Sequence, residues 1–421
     1  MSEMMRTKSI LLSLTILLST VCVAFGQKSV PTRDDFAPTV ILLSIDGFRY
    51  DYPEKHGAPT IAAMARDGVR AKWMNVSFPT KTFPNHYTVA TGLYPANNGI
   101  VDNNVFAFGT VLSMSRREEV ENSRWWLGEP IWVTAENQGL RAASFFFVGS
   151  EAPVKGVRPT FWRRYNGGVP PQMRVDTVLS WLDLPEKERP RIITFYFSDT
   201  DDAGHEFGPD AEETKYSVWN VDSYVKRLTD GIEKRGLKEK VNIILVSDHG
   251  MASVDYRNVT FLDEHFSLEL AERILWSNEV VHIFPKAGKT DEIHNAIKNL
   301  EKVTCWKKDE IPARFNYKGS DRIAPIVCMS DEGWITTSRQ RYSDWMRNIA
   351  DPERPRGAHG YDPGLESMRG IFMAWGPAFK KGHLAEPIEN VDVYNLMCRI
   401  LGLRPAQNDG DFDRVKSFLK N

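Results

Sequence analysis

The run Val40-Ile41-Leu42-Leu43-Ser44-Ile45, which ends at Asp46-Gly47, decides the fold class of this 421-residue chain. It is almost continuously apolar, a pattern typical of strands that are buried on both faces in a parallel sheet. Similar runs recur at Ile192–Phe197, Val241–Val246 and Gly370–Trp375, and helical patterns separate them at Pro59–Asp67, Asp176–Leu182 and Thr214–Arg235. The alternation predicts an α/β fold with a doubly wound, mostly parallel central sheet flanked by helices.

Length and charge favour one large globular unit. The chain is 42% hydrophobic with a formal net charge of −2, so charge gives no reason to expect binding to nucleic-acid polymers or membrane surfaces. Residues 261–350 show shorter strand patterns (Val280–Phe284, Ile323–Met329 and Trp334–Thr337) around one helix pattern at Asp291–Glu301. We therefore predict a single catalytic domain over residues 27–421, with a smaller α+β lobe inserted at about 261–350.

The N-terminus has the features of a secretory signal peptide. Arg6 and Lys8 precede an apolar run from Ile10 to Phe25, and small residues before Gln27 suit cleavage, so residues 1–26 are predicted to be removed. No second stretch of spanning length occurs and the C-terminus is polar, so we expect a secreted protein without a C-terminal anchor. An uncleaved signal anchor, which would give a membrane ectoenzyme, is the alternative.

Cysteines and glycosylation sequons agree with export. Cys22 lies in the predicted signal, Cys305 and Cys328 lie in one segment and could pair, and Cys398 falls in an apolar helix pattern that suits a buried thiol. The triplets that begin at Asn75 and Asn258 are possible glycosylation sites.

The stretch from Phe78 to Thr88 contains the candidate nucleophile, Thr82. Pro84 suits the first turn of a helix that Gly92 ends, so Thr82 is expected just before that helix begins. A hydroxyl at this position faces unpaired backbone N–H groups, which favour anions. The alternative is that Thr82 is only an N-cap.

Carboxylates and imidazoles follow the ends of the predicted strands. Since ligands of such sheets bind beyond the carboxyl ends of the strands, these residues indicate a site, with each predicted on a loop. Asp199 and Asp202 are expected to be helix caps or supporting acids. The candidate ligands are Asp46, Asp201, His205, Asp248, His249 and His359.

Aspartate and histidine ligands without cysteine suit zinc in an open site, although manganese or iron would also fit. Six such groups and a hydroxyl fit a pair of ions, and pairs about 4 Å apart clamp the attacking and leaving oxygens of an in-line phosphoryl displacement. Two divalent ions bring four positive charges and three carboxylates cancel three. The remaining charge would favour the alkoxide of Thr82.

Five motifs resemble those of the nucleotide pyrophosphatase/phosphodiesterase family, which belongs to the alkaline phosphatase superfamily. The likeness extends from Val40 to Asp409, with the motifs in family order. The motifs are Asp46-Gly47-Phe48-Arg49, Pro79-Thr80-Lys81-Thr82-Phe83-Pro84-Asn85-His86, Thr91-Gly92-Leu93-Tyr94-Pro95, Ser247-Asp248-His249-Gly250-Met251 and His359-Gly360-Tyr361-Asp362.

The resemblance implies an alkaline phosphatase-like fold and two Zn²⁺ ions per chain. It implies one zinc on Asp201, His205 and His359, and the other on Asp46, Asp248 and His249, with Thr82 as nucleophile on the second ion. Asn103 matches an asparagine that donates to a phosphate oxygen, Phe83 and Tyr165 match residues that flank a nucleobase, and Lys81 is included among the substrate-binding residues.

The chain departs from the family pattern in two ways. Thr200 stands where many vertebrate members have proline. The chain also lacks the cysteine-rich repeats and the nuclease-like domain of the larger members, and so resembles the small single-domain ones.

Three functions follow as hypotheses. The first is an extracellular zinc phosphodiesterase that hydrolyses ATP or dinucleoside polyphosphates to nucleoside 5′-monophosphates through a covalent threonine intermediate. The second is the same chemistry on a choline-type phospholipid or glycerophosphodiester. The third, from another class, is a catalytically silent, metal-bearing secreted binding protein. The sequence leaves the oligomeric state open.

Overall fold

A computed structural model describes residues 38–349, 351 and 353–420 of the chain. The predicted signal peptide therefore lies outside the described residues. Eight strands form the central sheet: β1 (Thr39–Ile45), β2 (Val69–Ala71), β3 (Ala142–Phe145), β4 (Phe161–Arg163), β5 (Ile192–Phe197), β6 (Val241–Val246), β7 (Phe372–Trp375) and β8 (His383–Ala385).

The strand order is β8-β2-β7-β6-β1-β5-β3-β4, with β1 near the centre. Strands β6, β1, β5, β3 and β4 are parallel to one another, and Leu42 of β1 pairs with Thr194 on one side and Ile244 on the other. Strand β7 runs antiparallel to both of its neighbours and starts at Phe372, two residues later than predicted. The predicted mostly parallel sheet is thus confirmed.

Helices cover both faces of this sheet because β1 sends alternate side chains to opposite sides. Val40 and Leu42 enter one core, while Ile41, Leu43 and Ile45 enter the other. The first core contains residues of α2 (Thr82–Thr91), α3 (Ile131–Asn137) and α7 (Asp392–Leu401). The second contains residues of α1 (Pro59–Asp67), α4 (Pro171–Leu182) and α6 (Glu212–Lys234). Helix α5 (Asp199–Phe207) follows β5 directly.

The inserted lobe has its own sheet and its own hydrophobic core. Its antiparallel strands are, in spatial order, Ala271–Ser277, Val280–Pro285, Ile326–Ser330 and Val303–Lys307. Helix Thr290–Ile297 packs on them, shorter than the predicted Asp291–Glu301. Cys305 and Cys328 face each other across two of these strands and form a disulfide, and Cys398 is a buried free thiol in α7. The domain limits 27–421 and 261–350 stay predictions.

Short elements complete the described part of the chain. Four two-stranded ladders lie outside the two larger sheets; three of them join segments that are distant in the sequence and one is a hairpin. None of the described helices has the length and hydrophobicity needed to cross a bilayer. The ladders are Met74–Asn75 with Ile388–Glu389, Val105–Ala107 with Thr110–Leu112, Ala252–Val254 with Arg356–Ala358, and Val259–Phe261 with Ile335–Thr337; the remaining helices are Pro53–Gly57 (π), Pro95–Asn98, Arg117–Val120 and Arg339–Met346.

Candidate active site

Six predicted ligands converge in two groups at the carboxyl edge of the central sheet. One group is Asp46, Asp248 and His249, which follow β1 and β6; the other is Asp201, His205 and His359. Within each group the ligand atoms lie within 4.8 Å of one another. The first group is completely buried, whereas the side chain of His205 in the second is 41% exposed.

Asp201 and His205 lie on a helix, so the prediction that they occupy a loop is wrong. Both belong to α5, four residues apart, where side chains share one helix face. The His205 Nε2 atom lies 3.4 Å from the Asp201 Oδ1 atom. The helix therefore supplies two adjacent ligands, and His359 comes from the residue after strand Arg356–Ala358.

Each of the three imidazoles is oriented by a backbone carbonyl. The Nδ1 atoms of His205, His249 and His359 lie 3.0, 2.9 and 2.8 Å from the carbonyl oxygens of Gly357, Gly250 and Thr80. Because a carbonyl can only accept, Nδ1 carries the proton and Nε2 faces the site as an acceptor. The Nε2 atoms of His205 and His359 are only 3.0 Å apart, an arrangement that a cation between the two acceptors would stabilise.

Each carboxylate presents one buried oxygen with no hydrogen-bond donor among the described residues. These atoms are Asp46 Oδ1, Asp201 Oδ1 and Asp248 Oδ2. The second oxygen of Asp46 accepts a 2.6 Å bond from the Tyr196 hydroxyl, and that of Asp248 accepts a 3.2 Å bond from the Gly47 N–H. Buried charged oxygens without partners are costly unless they coordinate a cation. The donor set therefore fits two divalent ions.

Burial and neighbouring charges shift the pKa values of these groups apart. Burial, and then repulsion from Asp248 and Asp201, raises the pKa of Asp46 well above its usual value. Burial alone would raise the pKa of Asp248, but His249 and His86 lower it well below the usual range. Burial, and then repulsion from His249 and His205, lowers the pKa of His359, which favours the neutral imidazole that ligates metals.

Thr82 is the first residue of α2, not the residue before it. The helix starts one residue earlier than predicted, and Lys81, whose side chain makes no capping hydrogen bond, occupies the N-cap position, so the N-cap interpretation of Thr82 is wrong. The Thr82 hydroxyl lies 3.4 Å from His249 Nε2, beside the buried ligand group. The helix ends as predicted at Gly92, which adopts a left-handed conformation with φ 68°.

Asn103 and two aromatic rings lie beside Thr82. The Asn103 Oδ1 atom accepts a 2.8 Å hydrogen bond from the Phe83 N–H, which leaves the amide NH₂ group as a donor. Phe83 and Tyr165 line one cleft together with Asp46, Thr82, Asp201 and Asp202. Tyr165 is 39% exposed, and its ring packs 5.2 Å from that of Phe146.

Lys81 points away from this cleft. Its ammonium group donates to the Glu279 carboxylate and to the backbone oxygens of Ser277 and His359. These contacts use all three N–H donors of the side chain. The geometry therefore does not support Lys81 as a substrate-binding residue.

Sequence reasoning missed two supporting residues, Tyr196 and His86. The His86 Nδ1 atom lies 2.9 Å from the Thr82 carbonyl oxygen and 3.3 Å from Asp248 Oδ2, and its Nε2 lies 2.9 Å from the Ser44 hydroxyl. The four-residue spacing from Thr82 within one helix could have suggested the first contact. Tyr196 carries no such signal, since its hydroxyl lies within an apolar strand pattern.

Comparisons with known proteins give one consistent family. The sequence model of the family described as type I phosphodiesterase / nucleotide pyrophosphatase matches residues 40–362. Venom phosphodiesterase 2 of Crotalus adamanteus is 35% identical over 430 residues, which cover 98% of this chain and 51% of the relative. Ectonucleotide pyrophosphatase/phosphodiesterase family member 3 of Rattus norvegicus is 36% identical over 420 residues, with coverages of 95% and 46%. The chain thus spans about half the length of these relatives.

Solved structures agree with the fold. Human ectonucleotide pyrophosphatase/phosphodiesterase 5 superposes with a TM-score of 0.85 at 32% identity, covering 91% of this chain and 100% of the other. The murine counterpart, an inactive variant with alanine in place of a threonine, was solved in complex with AMP and has a TM-score of 0.83 at 32% identity, with the same coverages. These similarities confirm the predicted α/β fold of the alkaline phosphatase type.

Proposed function

Because the chain belongs to the type I phosphodiesterase / nucleotide pyrophosphatase family, we propose that it hydrolyses nucleotides to nucleoside 5′-monophosphates. The observation that carries the proposal is the placement of the Thr82 hydroxyl 3.4 Å from His249 Nε2, beside two groups of converging ligands. A nucleophile next to a cation-binding pair is the arrangement that in-line phosphoryl displacement requires.

Two zinc ions are the proposed cofactors. Asp201, His205 and His359 would hold one, and Asp46, Asp248 and His249 the other. When bound, the ions would neutralise charge on the phosphoryl oxygens and favour the ionised form of the threonine. The orphaned carboxylate oxygens and the three Nε2 acceptors support this assignment.

Thr82 is the proposed nucleophile. Its Oγ attacks phosphorus, the bond from phosphorus to the leaving oxygen breaks, and a phosphothreonyl nucleoside forms; water then hydrolyses this intermediate. The Thr82 N–H, at the start of α2, and the Asn103 amide NH₂ would stabilise the negative charge that develops on phosphorus-bound oxygens. Asn103 is kept in place by its bond to the Phe83 N–H.

The nucleoside would lie in the cleft beside Thr82, with its base against Phe83 and Tyr165. Aromatic stacking favours any base and gives little selectivity between bases. The AMP complex of the murine relative supports a nucleotide substrate. The alternative, a choline-type phospholipid or glycerophosphodiester, predicts that glycerophosphocholine competes better than a diadenosine polyphosphate for the same cleft.

We also propose that the enzyme acts outside the cell. Secreted venom enzymes and ectoenzymes among the relatives support export, as do the apolar N-terminal run and the disulfide. Cleavage of residues 1–26 would give a secreted protein, and an uncleaved segment a membrane-anchored one. Sequencing the N-terminus of the expressed protein distinguishes the two.

Replacement of Thr82 by alanine tests the mechanism. Thr82→Ala should abolish turnover of a nitrophenyl ester of a nucleoside monophosphate, while the zinc content measured by mass spectrometry stays near normal. Thr88→Ala is the matched control, because Thr88 lies buried on the same helix and bonds Asn98 instead of facing the cleft. Retained turnover in Thr82→Ala would refute the nucleophile assignment.

A wild-type protein that binds zinc without any turnover would instead support the catalytically silent binding protein.

A further inference from the structure

Two buried polar links connect the inserted lobe to the segments that carry Thr82, Asn103 and His359. The first joins Lys81 to Glu279, and the second joins Asp102 to His282. The side chains of all four residues are at most 8% exposed. Glu279 directly precedes strand Val280–Pro285, and His282 is the third residue of that strand.

The Lys81 link reaches three parts of the chain at once. Its Nζ atom donates to the Glu279 carboxylate at 2.5 Å, to the Ser277 carbonyl at 3.1 Å and to the His359 carbonyl at 2.9 Å. Lys81 directly precedes Thr82, so the ammonium ties the start of α2 both to the lobe and to a candidate metal ligand. A nearly buried charged donor with every N–H satisfied holds its partners in one geometry.

The Asp102 link acts on the residue next to it in the chain. One carboxylate oxygen of Asp102 lies 3.0 Å from His282 Nε2, and the other accepts a 3.0 Å bond from the Ser277 hydroxyl. Asn103 follows at once, and its Oδ1 accepts the Phe83 N–H. The lobe therefore contacts the chain on both sides of the Asn103–Phe83 hydrogen bond: it binds Asp102 next to Asn103, and it binds Lys81 two residues before Phe83.

The backbone at Gly360 packs closely against the Lys81–Glu279 ion pair. A Cβ atom at this position would lie 2.5 Å from Lys81 Cε and 3.0 Å from Glu279 Cβ, and the residue has φ +127°. Its N–H also donates to the Thr80 hydroxyl, and the Thr80 carbonyl accepts from His359 Nδ1. The segments around residues 80 and 360 are thus closely joined where the lobe meets them.

We propose that Lys81, Glu279, Asp102 and His282 are positioning residues, through which the inserted lobe holds Thr82 and Asn103 in reactive alignment. The inference rests on the proposed function for its catalytic consequence, but its structural part does not. Small displacements of a nucleophile or donor lower the rate strongly, because the reacting atoms must already be close and aligned.

The central test is the double variant Lys81→Met/Glu279→Leu, which removes both charges together and leaves no unpaired buried ion. Amide exchange of a peptide spanning residues 79–86 should become at least about tenfold faster. For the nitrophenyl nucleotide ester, kcat should fall about 10- to 100-fold with KM nearly unchanged. Ile297→Ala, in the lobe's own core, is the matched control and should change neither readout.

The second link provides an independent pair of variants. Asp102→Leu should accelerate exchange of the same peptide, whereas Asp102→Asn keeps the shape and can still hydrogen-bond His282 and Ser277, so it should restore most of the protection. If Lys81→Met/Glu279→Leu does not fold, the comparison of Asp102→Leu with Asp102→Asn tests the positioning role by itself.

Unchanged exchange in both Lys81→Met/Glu279→Leu and Asp102→Leu would overturn the proposal. Loss of kcat with unchanged exchange would also overturn it, because Lys81 would then act on substrate directly. If exchange responds as expected while the wild-type protein hydrolyses no nucleotide, the positioning role stands and the proposed function fails.

Discussion

The three imidazoles of the site show how a backbone carbonyl decides which ring nitrogen can bind a cation. His205, His249 and His359 were predicted as ligands from their positions in the sequence. The structure adds that each Nδ1 bonds to a carbonyl oxygen, so all three Nε2 atoms are acceptors that face the site. For His205 and His359 no sequence pattern reveals this contact, because their partners Gly357 and Thr80 are distant in the chain.

Asp46 leads to a pH prediction for the metal-free protein. Burial, and then repulsion from Asp248 and Asp201, raises the pKa of Asp46 in the folded protein. Its carboxyl therefore loses its proton at a higher pH in the folded protein than in the unfolded chain, where the pKa is about 3.9. As the pH rises from the unfolded pKa toward the native pKa, the unfolded state releases its proton first, so the free energy of unfolding decreases. Asp46→Asn carries no charge and escapes this loss.

After treatment with a chelator, Asp46→Asn should therefore be more stable than wild type at pH 7, and the difference should shrink toward pH 4. Urea denaturation at several pH values measures it. The zinc-loaded proteins should show the opposite order, because the variant lacks a ligand. Asp321→Asn, at a fully exposed carboxylate, is the control. A difference that is independent of pH would contradict the prediction.

For Lys81 and His86, the sequence did not predict the contacts that the side chains make. The sequence places a lysine beside the candidate nucleophile, where a substrate contact is a reasonable expectation, yet the ammonium binds the lobe. His86 was not selected, although its ring contacts Ser44, Thr82 and Asp248. Motifs identify which residues matter, but the direction of a long or aromatic side chain depends on tertiary packing.

At the scale of elements, the close packing of strand Arg356–Ala358 on α5 brings together the ligand group of Asp201, His205 and His359. Strand Arg356–Ala358 crosses α5 so closely that a Cβ on Gly357 would lie 2.3 Å from the Gly204 carbonyl oxygen. The Gly357 carbonyl accepts from His205 Nδ1, and His359 follows two residues later. The spacing of strand and helix thus sets the distance between the two imidazoles.

Gly357→Ala should push this strand away from α5 and separate His205 from His359. Because the clash is with backbone atoms, it cannot be relieved by a rotamer change. Isothermal titration should show zinc bound to about one site instead of two, since Asp46, Asp248 and His249 follow β1 and β6 of the central sheet and not the displaced strand. Gly167→Ala, at an exposed glycine where a Cβ would meet only ordinary van der Waals contacts, is the control. Two unchanged binding steps would refute the prediction.

The strands and helices with clear apolar patterns were predicted well, whereas helix α5, which has no apolar stripe, was not. Strands β5 and β6 and helix α1 have the predicted limits, since their apolar runs and their Pro and Gly boundaries lie in the local sequence. Helix α5 was missed because Asp199-Thr200-Asp201-Asp202 resembles a polar loop. Its acidic first turn is instead stabilised by the helix dipole.

At the scale of the whole molecule, the inserted lobe has a core of its own and is also packed on the central domain, because Val280, Val327 and Met329 belong to the first core of the central sheet. The Cys305–Cys328 disulfide joins two of its strands across a sequence separation of 23 residues. Closure of a loop of this size removes conformational entropy from the unfolded chain and is worth about 3 kcal/mol. Neither of the two cores of the central sheet contains either cysteine.

Cys305→Ala/Cys328→Ala should therefore lower the free energy of unfolding by about 3 kcal/mol in chemical denaturation. Reducing agent should lower the stability of the wild-type protein by a similar amount and leave the double variant unchanged, because Cys398 is a buried free thiol that cannot be reduced further. An equal response of both proteins to reducing agent would contradict the prediction.

The order of the six ligands along the chain has a consequence for biogenesis. They begin at Asp46, directly after the central strand β1, and end at His359, after the entire lobe has been synthesised. Until that last segment emerges from the ribosome, the more exposed cation group lacks one of its three members, and α5 has no strand to support His205. A growing chain that has not yet reached His359 therefore cannot complete the second cation group of the proposed two-ion centre.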